Sequence, residues 1–347
     1  MGLYLPEGYL NWDYIVSKGL VWNIVIGGRG TGKTYGLLKK ALVDGVFTMF
    51  MRHTQTQIDL VASPEFSPLK PINSDMGWTS PFYDYVTGAK NVYNLYPLEI
   101  NEKGKTVPCG PPLGHATALS TIKNLRGFSG QEIKWLILDE FIPEEHEREI
   151  KNVGNALFNA YETINRNREL KGEEPLKVFL LANSNNLASE MLITMNLLRV
   201  ITRMEEKHLS EHIDKKRSLG LWKLDDSPIS EQKRDTALYR LAGQQYTNMA
   251  LDNQFSHKYA SDVASRNLYE YKPMSAIGEL TIYRHKSKDI LYVTTHRSGS
   301  PRIYDTTDFG IKAFRRDHAW LQVLELKHQI EYETELCHIL FTKLAWK

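Results

Sequence analysis

From Trp22 onward, short apolar runs alternate with amphipathic stretches. Trp22-Asn23-Ile24-Val25-Ile26 reads as a buried strand that breaks at Gly27, and the chain resumes as a helix from Lys33 to about residue 43. The same reasoning predicts strands over residues 46–51, 116–120, 135–138 and 177–182, and helices over 156–168 and 187–204. Residues 93–109 predict an inserted β-hairpin turning at Asn101-Glu102-Lys103-Gly104. Strands alternating with helices predict an α/β fold, a mostly parallel sheet with helices on both faces, over residues 1–204.

The texture changes at about Glu205. Residues 205–255 are dense in charge and poor in apolar positions, so they predict a small helical linker domain, with one helix over 231–251. From residue 256 to 347 the pattern differs again. Runs at 279–284 and 290–295 flank Lys286-Ser287-Lys288-Asp289 as a hairpin, a third strand is expected at 302–304, and 314–327 reads as helix. That predicts a separate C-terminal α+β domain.

Composition narrows the choices. The chain has 347 residues, enough for two or three domains with ample cores. Its two cysteines, Cys109 and Cys337, exclude a disulfide framework and a cysteine-only zinc site. No apolar run is long enough to span a bilayer, so no membrane partner is expected. Lys plus Arg is 43 against 41 Asp plus Glu, so any nucleic-acid partner must be met by local patches. Lys215-Lys216-Arg217, Lys286 with Lys288, and Arg315-Arg316 are candidates for such contacts, although charge runs are commonly just solvated faces.

Gly27-Gly28-Arg29-Gly30-Thr31-Gly32-Lys33-Thr34 matches GxxxxGK[ST], directly after a strand and directly before a helix. Glycines let successive N–H groups cradle the phosphates of ATP at the positive end of the helix, while Lys33 reaches the outer phosphates and the Thr34 hydroxyl coordinates Mg²⁺. An apolar strand delivers Asp139 to the Mg²⁺ shell and Glu140 to the attacking water. Glutamate after aspartate favours a hydrolase over a nucleotide-gated adaptor. The chain lacks the Asp-x-x-Gly and Asn-Lys-x-Asp motifs of a signalling GTPase. Asn183 ends the next strand and is a candidate γ-phosphate sensor, or a cap for the following helix. Arg166 and Arg168 close a helix, where cations suit the dipole. Arg166 is also a candidate arginine finger for a neighbouring subunit, and Arg29, inside the loop, is the competing finger in cis. On these residues alone, another ring-forming or helicase-type DNA ATPase stays open.

In these elements the sequence resembles the genome-packaging ATPases of small short-tailed phages of the phi-twenty-nine type, relatives of the large terminase subunit. The resemblance runs through the phosphate loop with its mid-loop Arg29, Met51-Arg52, Leu138-Asp139-Glu140-Phe141-Ile142, Asn165-Arg166-Asn167-Arg168-Glu169, Ala182-Asn183 and Met249-Ala250-Leu251-Asp252-Asn253-Gln254-Phe255. It covers about two-thirds of the chain. It implies a P-loop ATPase of the additional-strand, catalytic-glutamate (ASCE) type, with Lys33, Thr34, Asp139 and Glu140 as its centre and Arg166 acting in trans. It further implies a homomeric ring, usually a pentamer, that docks on the portal of an empty prohead in the host cytoplasm and drives double-stranded DNA inward. Some members use a prohead RNA as adaptor. The C-terminal domain of the family resembles an RNase H-like nuclease without its metal-binding acids; here Asp305, Asp308, Asp317 and Glu325 are scattered. Where some members carry a further lysine after the second strand, this chain has His53-Thr54-Gln55-Thr56-Gln57, and Arg52 is the remaining cation there.

Overall fold

The apolar runs pair into one large sheet. Its strands are β1 (Trp22–Gly27), β2 (Thr48–Arg52), β3 (Phe82–Thr87), β4 (Val92–Ile100), β5 (Thr106–Pro108), β6 (Gly114–Ala118), β7 (Trp135–Asp139), β8 (Lys177–Ala182), β9 (Glu211–Asp214) and β10 (Leu219–Leu224). In this computed structural model the described residues are 2–121, 130–143, 152–183, 189–225, 227–242, 247, 251 and 262–346. The chain divides into two compact units, Met1–Ser256 and His257–Lys347.

The sheet order is β3-β4-β6-β2-β7-β8-β1-β10-β9, with β5 beside β4. The six strands from β6 to β10 in that order run parallel. Parallel strands are buried on both faces, and all five residues of β7 are buried, as are five of the six in β1. Helices Trp12–Ser17, Lys33–Val43, Gln55–Val61 and Leu69–Asp75 pack Trp12, Leu37, Ile58 and Ile72 into the core beside Phe50 and Phe179. In such sheets ligands bind beyond the carboxyl ends of the strands. Gly27, Arg52, Asp139 and Ala182 therefore reach the same edge. Strand β8 stands between β1 and β7, which is the additional strand of the ASCE arrangement.

Several expectations need correction. The separate helical linker expected over 205–255 is part of the first unit, and within it β9 and β10 form a hairpin that extends the main sheet, with β10 parallel to β1. All six residues of β10 are buried. Lys223 within it disguises the strand as surface, yet its ammonium is sunk against Asp225 (2.7 Å) and Glu205 (3.4 Å). The helix expected over 187–204 is two helices, Glu190–Thr194 and Leu198–Glu206, parted at Asn196 with φ 54°. The helix expected over 156–168 is Val153–Asn165 and stops where Arg166 and Asn167 turn left-handed, φ 46° and 60°. That helix meets Glu190–Thr194 at close range. A Cβ built at Gly154 would lie 2.5 Å from Thr194 Cβ. The single helix expected over 231–251 is instead broken into Pro228–Lys233 and Ala237–Leu241; of its remainder, residues 243–246 and 248–250 lie outside the described residues, as does all but Leu251 of the 249–255 element.

The second unit is α+β. Strands β11 (Tyr271–Ile277), β12 (Leu280–His285) and β13 (Leu291–Thr294) form an antiparallel meander; β14 (Arg302–Tyr304) and β15 (Ile330–Tyr332) join its two edges in parallel. Ile282, Val293, Phe314, Tyr332 and Phe341 share its core. The helix expected over 314–327 is split into Asp308–Asp317 and Leu321–Leu326. Asp317 pairs with Arg302 and Arg316, and Glu325 faces His338. Among the described residues no three His, Cys, Asp or Glu side chains converge to hold a metal, and no helix is long and apolar enough to cross a membrane.

Candidate functional site

The turn from β1 into helix Lys33–Val43 is built on two glycines. Gly30 has φ 72° and Gly32, the residue before the helix, φ 86°. Side chains rarely tolerate that backbone. The loop is fastened from inside. Thr31 Oγ1 donates to the Gly28 carbonyl (3.1 Å), and Trp12 Nε1 donates to the carbonyls of Gly32 (3.3 Å) and Lys33 (3.1 Å). The loop opens into a cavity of about 1190 Å³ whose walls include Tyr9, Trp12, Lys33, Thr34, Asp139 and Asn183.

Lys33 is folded back over its own loop. Its Nζ donates to the carbonyls of Gly27 and Gly28, both at 2.8 Å, and to Asn183 Oδ1 at 3.1 Å. Burial lowers its pKa to about 7, against the opposing pull of Asp139. A phosphate arriving here would restore the charge-assisted partner that the ammonium lacks. Asn183 reaches Lys33 from the end of β8, between the two halves of the site.

Thr34 Oγ1 donates to Asp139 Oδ1 at 2.8 Å. These hard oxygen donors, beside a phosphate cradle, fit Mg²⁺. The other oxygen of Asp139 accepts from Arg52 Nη2 (2.8 Å), and Arg52 Nη1 donates to Glu140 Oε2 (2.8 Å). One guanidinium thus bridges both acids. Asp139 is buried, whereas the Glu140 side chain is 45% exposed on a left-handed backbone, φ 57°. Such backbone in a non-glycine residue clusters at functional sites. Replacing Arg52 with Ala is expected to destabilise the nucleotide-free protein by about 1–3 kcal/mol, since buried Asp139 loses a partner. Denaturant midpoints measure this, and Mg²⁺ should restore part of the loss. An unchanged midpoint would remove the clamp.

The Asn165–Glu169 element lies elsewhere. Arg168 is 4% exposed and donates to the carbonyls of Ile133 (2.8 Å), Gly130 (2.8 Å) and Gln131 (3.1 Å), ahead of β7. It is a structural residue. Asn165 Oδ1 accepts from the Leu176 N–H, just before β8. Arg166 is exposed, and its Nε donates to the Thr163 carbonyl at 3.3 Å. The element therefore sits at the amino ends of β7 and β8, the opposite edge of the sheet from Glu140. The four-residue rise of β7 alone is about 13 Å. Arg29 lies on the cavity side of the loop.

Besides Trp12, sequence reasoning missed a further neighbour of the loop. Lys233, at the end of helix Pro228–Lys233, donates from Nζ to the Arg29 carbonyl at 2.7 Å. Its signal was a lysine in a charge-rich stretch, and only β10, beside β1, brings that stretch to the loop. Among the basic runs, Arg315 caps helix Glu335–Ala345 through the Leu344 and Lys343 carbonyls, and Arg316 pairs with Asp317. Lys286 and Lys288 join Lys272 and Arg284 around a shallow cavity of about 600 Å³.

Comparison with known proteins agrees with this architecture. The family model for the podovirus DNA encapsidation protein (Gp16) matches residues 7–295. The DNA packaging protein of Bacillus phage PZA is 24% identical over 315 residues, 88% of this chain and 82% of that protein. Its counterpart from Bacillus phage phi29 is 23% identical with the same coverage. Among solved structures, the Phi-28 gp11 DNA packaging motor has a TM-score of 0.64 at 15% identity over 98% of both chains. The bacteriophage Phi-29 viral genome packaging motor assembly has 0.63 at 16%, covering 99% of this chain and 100% of that one. At these identities the structural likeness is one of fold.

Proposed function

The chain belongs to the podovirus DNA encapsidation protein family, and on that premise we propose that it is an ATPase that drives double-stranded DNA into a prohead. The observation that carries the reading is the convergence of Lys33, Thr34, Asp139, Glu140 and Asn183 at one edge of the sheet. Thr34 and Asp139 would hold Mg²⁺, which when bound neutralises charge on the outer phosphates of ATP. Lys33 exchanges its loop carbonyls for those phosphates. Glu140 accepts a proton from the attacking water once Arg52 gives way. Asn183 holds the side of the site where the terminal phosphate departs. Arg166 supplies positive charge to the site of the next subunit in a ring, and its place at the far edge of its own sheet supports action in trans. Arg29 is the finger in cis if Arg166 is not.

The working partners on this reading are the prohead portal, the duplex and a ring of identical subunits, with five as the family's usual number; a prohead RNA is a further candidate. The ring acts in the host cytoplasm, on the prohead. The basic hairpin Lys286–Lys288 and its neighbours meet nucleic-acid phosphates without reading bases, as a translocating motor requires.

The test is packaging itself. Purified protein, portal-bearing proheads, linear duplex and Mg·ATP should yield DNA protected from added nuclease. ADP should yield none. Binding to free duplex should fall steeply with salt, because counterion release dominates. Mn²⁺-dependent nicking abolished by Asp305→Asn would instead assign an active nuclease to the second unit.

A further inference from the structure

Buried or half-buried lysines in the first unit have acidic partners where they serve structure. Lys40 is held by Asp13 (2.6 Å) and Asp44 (2.8 Å), and Lys223 by Asp225 and Glu205. Lys233 departs from that pattern. Among the described residues its ammonium has one hydrogen-bond partner, the Arg29 carbonyl, and no carboxylate. Partial burial lowers its pKa, with no acid to offset it.

Its position is built rather than incidental. Lys233 Nζ lies directly against Gly30 in mid-loop: a Cβ placed there would lie 2.0 Å from it, and the lysine would have to swing aside. The arm that delivers it is packed. Ser227 is buried and its Oγ donates to the Gly8 carbonyl (3.3 Å), Gly8 abuts Pro228 and Ile229, and Ser230 is buried. Leu10 N–H in turn donates to the Thr31 carbonyl (3.0 Å), which ties the Gly8 segment to the same loop. A half-buried cation with no carboxylate beside it among the described residues, fixed against the middle of a phosphate loop, is suited to a phosphate oxygen.

We propose that Lys233 is a second phosphate-contacting lysine, supplied in cis by the arm that follows β10, and that it grips the outer phosphates of a nucleoside triphosphate. This rests on the ATP-site reading above. On binding, the Lys233 ammonium leaves the Arg29 carbonyl for a phosphate oxygen, so the arm leading toward the second unit is placed by nucleotide occupancy. Sequence motifs do not reveal it, because the residue follows Lys33 by two hundred positions and matches no spacing rule.

The experiment uses the full-length protein and equilibrium binding of fluorescent ATP and ADP analogues with Mg²⁺, on wild type, Lys233→Met, Lys233→Arg and Lys33→Ala. Methionine keeps the apolar stem and removes the charge. A charge-assisted hydrogen bond corresponds to about 10- to 100-fold in affinity. Lys233→Met should weaken ATP by about that factor and ADP by less, and Lys233→Arg should recover most of the loss. Thermal midpoints without nucleotide are measured alongside. A Lys233→Met protein that melts earlier yet keeps the wild-type ratio of ATP to ADP affinity would make Lys233 a mere pin for the arm and overturn the proposal. Unchanged affinities for both nucleotides overturn it equally. If Lys33→Ala also binds ATP normally, the ATP-site reading itself fails; if Lys33→Ala fails to bind while Lys233→Met binds normally, only Lys233 is at fault.

Discussion

A Glu140→Gln protein is expected to bind Mg·ATP at near wild-type affinity and to turn it over at least ~10²-fold more slowly, the usual worth of a positioned general base. The amide keeps the shape of the carboxylate and one acceptor for Arg52, so the clamp on Asp139 survives. What disappears is the group proposed to take a proton from water. Lys33→Ala makes the contrasting case. It deletes the ammonium that stands over Gly27 and Gly28, so both binding and turnover should fall. Nucleotide titration and steady-state phosphate release on the pair separate the two roles. Near-normal turnover by Glu140→Gln would take that residue out of the chemistry.

The second large effect is at Arg166. In the proposed role of finger, Arg166 would contribute about 10³–10⁵ in rate by meeting charge that develops on the departing phosphoryl group. Arg166→Ala should therefore bind ATP almost normally and hydrolyse it poorly. Its own Glu140 lies across the sheet, beyond a strand whose rise is about 13 Å, so the loss should be repairable only from another subunit. Mixing inactive Arg166→Ala with inactive Glu140→Gln tests this. In mixed rings, some sites join an intact Glu140 to an intact Arg166, and partial activity should rise and fall with the mixing ratio. A mixture that stays inactive, although mixed rings are shown to assemble, would refute action in trans and turn attention to Arg29.

Local chemistry was the legible part of the chain. The phosphate loop, the Asp139-Glu140 pair and Asn183 each announce themselves by residue type and by an adjoining apolar run, and β8 falls on residues 177–182 as read. Long-range pairing was not legible. Nothing near Leu219–Leu224 says that it lies beside β1, and Lys223 hides the strand because its counter-charges, Glu205 and Asp225, were read as more surface charge. Strand β11 was missed for a similar reason: Lys272 and Pro273 interrupt it, and the register shifts between Pro273 and Ser275. The roles of Arg166 and Arg168 are likewise indistinguishable in sequence. Only the carbonyls of residues 130–133 show which guanidinium is inward.

The contact at Gly154 has a mechanical consequence. Helix Val153–Asn165 is about 20 Å long at 1.5 Å per residue, and its first turn touches Thr194 in the helix that follows β8. Asn183 stands at the start of that post-β8 segment and Arg166 at the far end of the longer helix. On the proposed reading, that contact offers a path between the two edges: a shift of helix Glu190–Thr194 would press on the first turn of the longer helix and be passed along its axis toward Arg166. In the proposed ring, each subunit would then present its arginine to the next according to what fills its own pocket, which makes firing order a property of the helix contact as much as of the active site.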